Sequence, residues 1–290
     1  MLPVQTAWAS FLGELLQFMT VIKVTVAVSI VVLLSLVAEL VSPRAAGVLS
    51  GYPLGAAIVL FFVGIEVGPA FAAASATYTM VGLGGTVSFA YTYYLCSKHY
   101  RKSGKKKQVL AAAGISVAVY MVVAMILSRV KANTITAVLI GSFSIIVGSV
   151  LLKEVKDTRI EKRVHLTLKV ILLRATVASV VILIITIMAK YIGSSFTGVF
   201  SAFPITMLPF IAIIHYTYDS THVRSIIKNI PRGLFSLLIY SLCVTLSYPP
   251  LGVYFGTLIA YAFATGYLLL LYFDLPAGLL RLLKSSPGKG

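Results

Sequence analysis

The chain has 290 residues, 59% of them hydrophobic and 11% charged, and its mean hydropathy is +0.99. That balance excludes an ordinary soluble domain, which carries about a quarter charged residues, and leaves lipid as the solvent for most of the surface. The net charge of +16 would suit nucleic acid in a soluble protein. Here the basic residues stand in short segments between apolar runs, so they are read as setting membrane orientation, with no nucleic-acid role.

Residues 4–22 are apolar but interrupted by Glu14 and Gln17. They read as an interfacial helix or a lead into the first span. They lack the basic start and small-residue cleavage site of a removable signal peptide. Nine runs then approach the ~20 apolar residues that cross a bilayer: 24–42, 47–66, 75–97, 109–128, 134–152, 170–190, 197–216, 233–248 and 251–273. The expected fold is an all-α polytopic membrane bundle of nine helices.

Lysine and arginine set its direction. The segment 98–108 holds Lys98, Arg101, Lys102, Lys105, Lys106 and Lys107, and the segment after the fifth span holds Lys153, Lys156, Arg159, Lys162 and Arg163. The loop 217–232 after the seventh span holds Arg224, Lys228 and Arg232, and Arg281, Lys284 and Lys289 lie in the tail. With nine spans these groups and Arg44 share one side, and the other side collects Arg129, Lys131 and Lys190. The expectation is a cell (inner) membrane protein with its N-terminus outside and its C-terminus in the cytoplasm.

The chain resembles itself at an offset of 151. Lys23, Thr25, Val26 and Ala27 align with Arg174, Thr176, Val177 and Ala178; Gly47, Val48, Ser50 and Pro53 align with Gly198, Val199, Ser201 and Pro204; Gly82-Leu83 aligns with Gly233-Leu234. Gly, Ser and Pro at one fixed offset mark a repeat. Spans one to four match spans six to nine, and the fifth is left over, a four-plus-one-plus-four plan. The expected units are 1–130, a linker helix in 131–160, 161–275 and a basic tail 276–290. An odd number of spans separates equivalent helices, so the halves have inverted topology, a common plan of carriers with a midplane site.

Each half carries Gly-x-x-Ser-x-x-Pro. Gly and Ser three apart permit close helix approach. Pro53 would free the carbonyl of Leu49, and Pro204 that of Phe200, and in lipid a freed carbonyl needs protein, water or a ligand. Two readings stand: broken helices lining a substrate site, or kinked helices packed without a ligand. The candidate site is Gly47, Ser50, Pro53, Gly198, Ser201 and Pro204, with Glu39 and His215 as ionisable groups near it.

The run Gly198-Val-Phe-Ser-Ala-Phe-Pro204, then Ile211 to His215-Tyr216, then Gly233-Leu234 to Tyr240, resembles the GlpM family of small membrane proteins with about four helices. The likeness covers spans six to eight, and span nine by hydropathy. The first half keeps Gly47, Pro53 and Gly82-Leu83 but has Gly64 where His215 stands. The resemblance implies two such helical units joined by one linker helix. It implies membrane location without naming a substrate.

Lys23 and Arg174 occupy equivalent positions and read as snorkelling to headgroups, with anion or headgroup binding as the functional alternative. Glu39 and Lys190 are also equivalent. Glu66 is placed in an outer turn beside Gly68-Pro69. His215, Asp219 and His222 have helical ligand spacing, but Tyr216 to Thr221 reads as a helix end and loop, so no metal is expected. Cys96 and Cys243 make no metal or disulfide pattern and read as small core residues. No nucleophile elbow, zinc-protease motif or phosphate loop is present, and no cofactor is expected. The expected function is non-enzymatic: a carrier of a small molecule or lipid-linked group by alternating access, with the lipid bilayer as its partner. The alternatives are a scaffold or accessory subunit of an envelope pathway and an ion channel. A homodimer is compatible with any of these.

Overall fold

The computed structural model describes residues 18, 20–26, 28–29, 48–100, 104–155, 168–218 and 220–272. Among them helix dominates and no strand occurs. After helical residues at 20–26 come α1 (Leu54–Glu66), α2 (Pro69–His99), α3 (Lys105–Leu127), α4 (Thr134–Leu151), α5 (Leu168–Ser201), α6 (Met207–Thr217) and α7 (Ser220–Tyr272).

Local chemistry sets several of these boundaries. Gly68 has φ 130 and ψ 155, and Pro69 then opens α2, where a proline's missing N–H leaves no bond unmade. Asn133 caps α4 reciprocally: its Oδ1 accepts from the Thr136 N–H at 2.9 Å, and the Thr136 hydroxyl accepts from the Asn133 N–H at 2.9 Å, which closes the capping box. Helix α5 is interrupted at Gly193, φ 74 and ψ 166, and α7 at Gly252, φ 75 and ψ 176, just after Pro249-Pro250. Positive φ with extended ψ is open to glycine alone. The first limb of α7 is therefore 220–251 and the second 253–272.

Five stretches are long and apolar enough to cross a membrane: Val48–Glu66, Lys105–Leu127, Thr134–Leu151, Ala175–Ser201 and Ser220–Leu271. The last has 52 residues, which is about 78 Å of helix against about 30 Å of hydrocarbon; its break at Gly252 divides it. The 31 residues of α2 are long enough to span, but Ser, Thr, Tyr and Gly dilute their hydropathy.

Burial accounts for that composition. The core lies along α2 and the first limb of α7, with Ala76, Met80, Leu83, Phe89 and Tyr93 meeting residues such as Ile227, Ile230, Tyr240 and Val244 in one cluster. Most of the large exposed side chains stand elsewhere, among them Val122 and Ile126 on α3, Leu139 and Phe143 on α4, Val180 and Ile184 on α5, and Phe255 and Leu258 on the second limb of α7. Outer helices apolar on their exposed faces and inner helices bearing hydroxyls suit a bundle surrounded by lipid.

Two sequence expectations change. The segment 217–232 is not a loop: α6 ends at Thr217 and α7 starts at Ser220, so Arg224, Lys228 and Arg232 stand on helical turns. The run 197–216 is not one continuous helix but the end of α5 and all of α6, parted at 202–206. Glu39, Gly47 and Asp219 lie outside the described residues.

Candidate functional site

The two proline segments adopt the same backbone. In the first, Gly51 N–H donates to Val48 O at 3.1 Å, Tyr52 to Leu49 O at 3.1 Å, Leu54 to Tyr52 O at 2.7 Å and Ala57 to Pro53 O at 2.8 Å. The second repeats each bond 151 residues on: Ala202 to Val199 O at 3.2 Å, Phe203 to Phe200 O at 3.0 Å, Ile205 to Phe203 O at 2.7 Å and Leu208 to Pro204 O at 2.9 Å. Each helix tightens, stops and restarts beyond its proline.

These bonds correct one expectation. The carbonyls of Leu49 and Phe200 were to need outside partners. Each is instead closed by its own turn, through the N–H three residues on. Outside help goes to neighbouring carbonyls of the second break. The Tyr120 hydroxyl donates to Val199 O at 2.7 Å, and the Thr86 hydroxyl donates to Ala202 O at 2.7 Å.

Glycines bring the breaks together. A Cβ on Gly233 would lie 2.0 Å from Val48 O and 3.1 Å from the Gly51 Cα, and one on Gly82 would lie 2.9 Å from both Val199 O and the Ala202 Cβ. Adding 151 to 82 gives 233, and adding 151 to 48 and 51 gives 199 and 202. The two crossings are thus the same contact with the halves exchanged. Gly198 serves another close approach, its absent Cβ falling 2.0 Å from Ser75 O.

Between the breaks lies a cavity of about 30 Å³, lined by residues that include Ser50, Tyr52, Pro53, Thr86, Ser201 and Pro204. A water needs roughly 10–15 Å³ by this measure, so the space holds about two. Among the described residues no charged side chain lines it. Ser50, Pro53, Ser201 and Pro204 are thereby brought together. The Ser201 hydroxyl is turned back onto Thr197 O at 2.7 Å. His215 stands apart, buried at the far end of α6 with its Nδ1 3.2 Å from the Tyr93 hydroxyl.

Sequence reading missed two groups of residues. Thr86 and Tyr120 are one; Thr86 lies four residues after Gly82, on the same helix face, and that spacing was the available signal. The other is an ionic junction at the far end of α1. Lys23, read as snorkelling, is buried, its Nζ 2.5 Å from Glu66 Oε1 and donating to the Thr186 hydroxyl at 3.1 Å. Lys190 Nζ lies 3.6 Å from Glu66 Oε2.

Hydroxyls also line the seam between α7's limbs. The Tyr248 and Thr257 hydroxyls are 2.7 Å apart, and Ser236 donates to Ala264 O at 3.1 Å. From the first proline segment, the Tyr52 hydroxyl reaches that of Thr265 on the second limb at 2.6 Å. At the opposite end from Glu66, Lys105 Nζ donates to Tyr218 O at 2.9 Å, beside an open recess lined by Gly104, Lys105, Lys106, Lys107, Tyr216 and Thr217. Among the described residues no group of three or more His, Cys, Asp or Glu could hold a metal. No protein-family model, curated protein or solved structure matches the chain.

Proposed function

We propose that the chain is a multi-pass carrier, moving a small molecule or lipid-linked group by alternating access, and that it is built as four plus one plus four spans with inverted halves. The observation that carries this reading is the pair of identically broken helices meeting at one small cavity. The exchanged glycine crossings are what a two-fold relation between halves requires. The direction of the halves is supported by contacts at the ends. Glu66 closes the stretch Val48–Glu66 and meets Lys190, which precedes the stretch through α6; equivalent stretches therefore run in opposite directions. Helix α4 falls outside the repeat and supplies the odd span.

The nine-span count takes the two limbs of α7 as separate crossings, divides α5 at Gly193 so that its last turns and α6 make a crossing of their own, adds α2, and counts a first span whose later residues lie outside the description. The likeness to the GlpM family rests on the residues quoted above and adds the image of two joined units. A cavity holding about two waters is small and must widen to admit substrate. An accessory-subunit reading is favoured by one observation, the very close Gly198 and Gly233 crossings, which tight packing alone would produce.

Cysteine accessibility separates the two readings. In a background with Cys96 and Cys243 replaced by alanine, Ala56→Cys and Thr206→Cys are placed at the cavity and exposed to impermeant thiol reagents on each side of sealed vesicles. The carrier reading expects slow labelling from either side. No labelling from either side over hours, with the protein folded, supports the static scaffold, and fast labelling from both sides supports a channel.

A further inference from the structure

The junction at Glu66 is unbalanced. Two ammonium groups converge on one carboxylate, and they come from different helices: Lys23 from the helical residues at 20–26, and Lys190 from α5. Glu66 has 12% of its side chain exposed and Lys23 has 4%, whereas Lys190 has 40%. A buried ammonium is strongly unfavourable unless paired. Lys23 meets this need fully, with the carboxylate, the Thr186 hydroxyl and the Phe62 ring 5.8 Å from its nitrogen. Thr186 acts as acceptor there, because its own hydroxyl donates to Ile182 O at 2.9 Å. Among the described residues one negative charge serves two positive ones, which leaves those three groups with a net charge of plus one.

Lys190 is half open to the outside, yet its ammonium lies near the second carboxylate oxygen instead of being directed wholly away. Its loose 3.6 Å contact leaves donors unspent. Glu66 itself sits two residues before Gly68, and Lys190 three before Gly193. A Cβ at either corner would meet no atom within 4 Å among the described residues, so the side of each glycine on which a side chain would stand is open.

We propose that Lys23 and Lys190 form a binding site for a phosphate-type oxyanion, and that Glu66 occupies this site as a tethered stand-in. Phosphate has enough oxygens to reach both ammoniums and a charge near minus 1.5 to 2 when monoesterified, which matches two lysines better than one carboxylate does. The ligand enters past the exposed Lys190 as Glu66 leaves on the end of α1. Lys23 then keeps an anionic partner throughout. The site lies at the end of the bundle away from the Lys105 recess, and it does not depend on the carrier reading.

The test uses the full chain in nonionic detergent, with inorganic phosphate as probe at constant ionic strength set by chloride. Glu66→Gln vacates the stand-in's charge. Its melting temperature is expected to rise with phosphate, since a ligand of the folded state stabilises in proportion to the logarithm of its excess. Half-saturation should fall at least tenfold below that of the unsubstituted chain. Glu66→Gln with Lys190→Gln should lose the response. A lipid source is distinguished by nanodiscs: stabilisation by phosphatidylglycerol over phosphatidylcholine, without a phosphate response, assigns the site to a headgroup. Should Glu66→Gln be recovered unfolded, purification is repeated with phosphate, or with phosphatidylglycerol, present throughout, and folded recovery supports the site. A response to neither anion, or one that survives Lys190→Gln, overturns it.

Discussion

Gly233→Ala tests whether the two broken segments are locked by direct backbone contact. Two effects oppose each other. Within a helix, alanine is favoured over glycine by about 1 kcal/mol. Against this, the new Cβ would stand 2.0 Å from Val48 O and 2.8 Å from its carbon. An ordinary carbon-to-oxygen contact is about 3.3 Å, so the helices would have to part by about 1.3 Å. Overpacking costs about 1–3 kcal/mol, sometimes more, when neighbours can adjust, and here the neighbour is main chain with no rotamer to change. Net destabilisation of about 2 kcal/mol is expected, read from unfolding in mixed micelles of rising SDS fraction. Gly82→Ala, with its nearest contacts at 2.9 Å, should cost less. Gly114→Ala on exposed α3 meets no atom within 4 Å and should be neutral or stabilising by up to about 1 kcal/mol. If Gly233→Ala proved as stable as Gly114→Ala, the backbone lock would be refuted.

Gly252→Ala should destabilise by about 1–3 kcal/mol through strain alone, because it needs positive φ but has no close neighbour; an unchanged unfolding midpoint would mean the corner can be rebuilt. Thr86→Val keeps the shape but removes the donor to Ala202 O, and a buried carbonyl stripped of its partner costs about 1–3 kcal/mol, measurable in the same micelle titration. At the ionic junction Glu66→Gln should be the more harmful single change, at about 3–5 kcal/mol for a buried charge left alone. Adding Lys23→Met to it should restore most of that loss, and a double variant no better than Glu66→Gln would show that Lys23 does not depend on the carboxylate. Cysteines at positions 105 and 131 should label from opposite faces of sealed vesicles, and labelling from one face would overturn the assumed alternation of spans.

The offset of 151 was readable because Gly, Ser and Pro impose backbone geometry wherever they stand. The hydrogen bonds at 51–57 and 202–208 follow from those residue types almost bond for bond. Convergence of Ser50, Pro53, Ser201 and Pro204 on one cavity followed the same logic. Some of what failed was local, and some depended on distant partners. The carbonyls of Leu49 and Phe200 found N–H groups in their own turns, a local solution the helix rule alone does not reveal. Basic residues at 224, 228 and 232 suggested a loop, yet a helix carries charges readily where it leaves the apolar layer. The pairing of Lys23 with Glu66 spans 43 positions and gives no periodic signal, so only the packed structure brings it into view.

The hydroxyl-bearing second helix also governs how the chain must be made. Where polar groups of α2 and α3 bond beyond their own helix, the partners lie in the second half: Thr77 with Thr245, Thr86 with Ala202, Tyr93 with His215 and Tyr120 with Val199, at separations of 168, 116, 122 and 79 residues. During synthesis α2 is therefore made more than a hundred residues before the groups that bond Thr77, Thr86 and Tyr93. Until then its hydroxyls can turn back on their own helix, as Thr77 does onto Ala73 O at 3.3 Å, a local bond open to serine and threonine. Tyr93 cannot make such a bond, since its hydroxyl is carried too far from its own backbone. The amino-terminal half thus waits for the carboxyl-terminal half to complete it, and two separately translated halves would have to find each other in the membrane before either reached its final form.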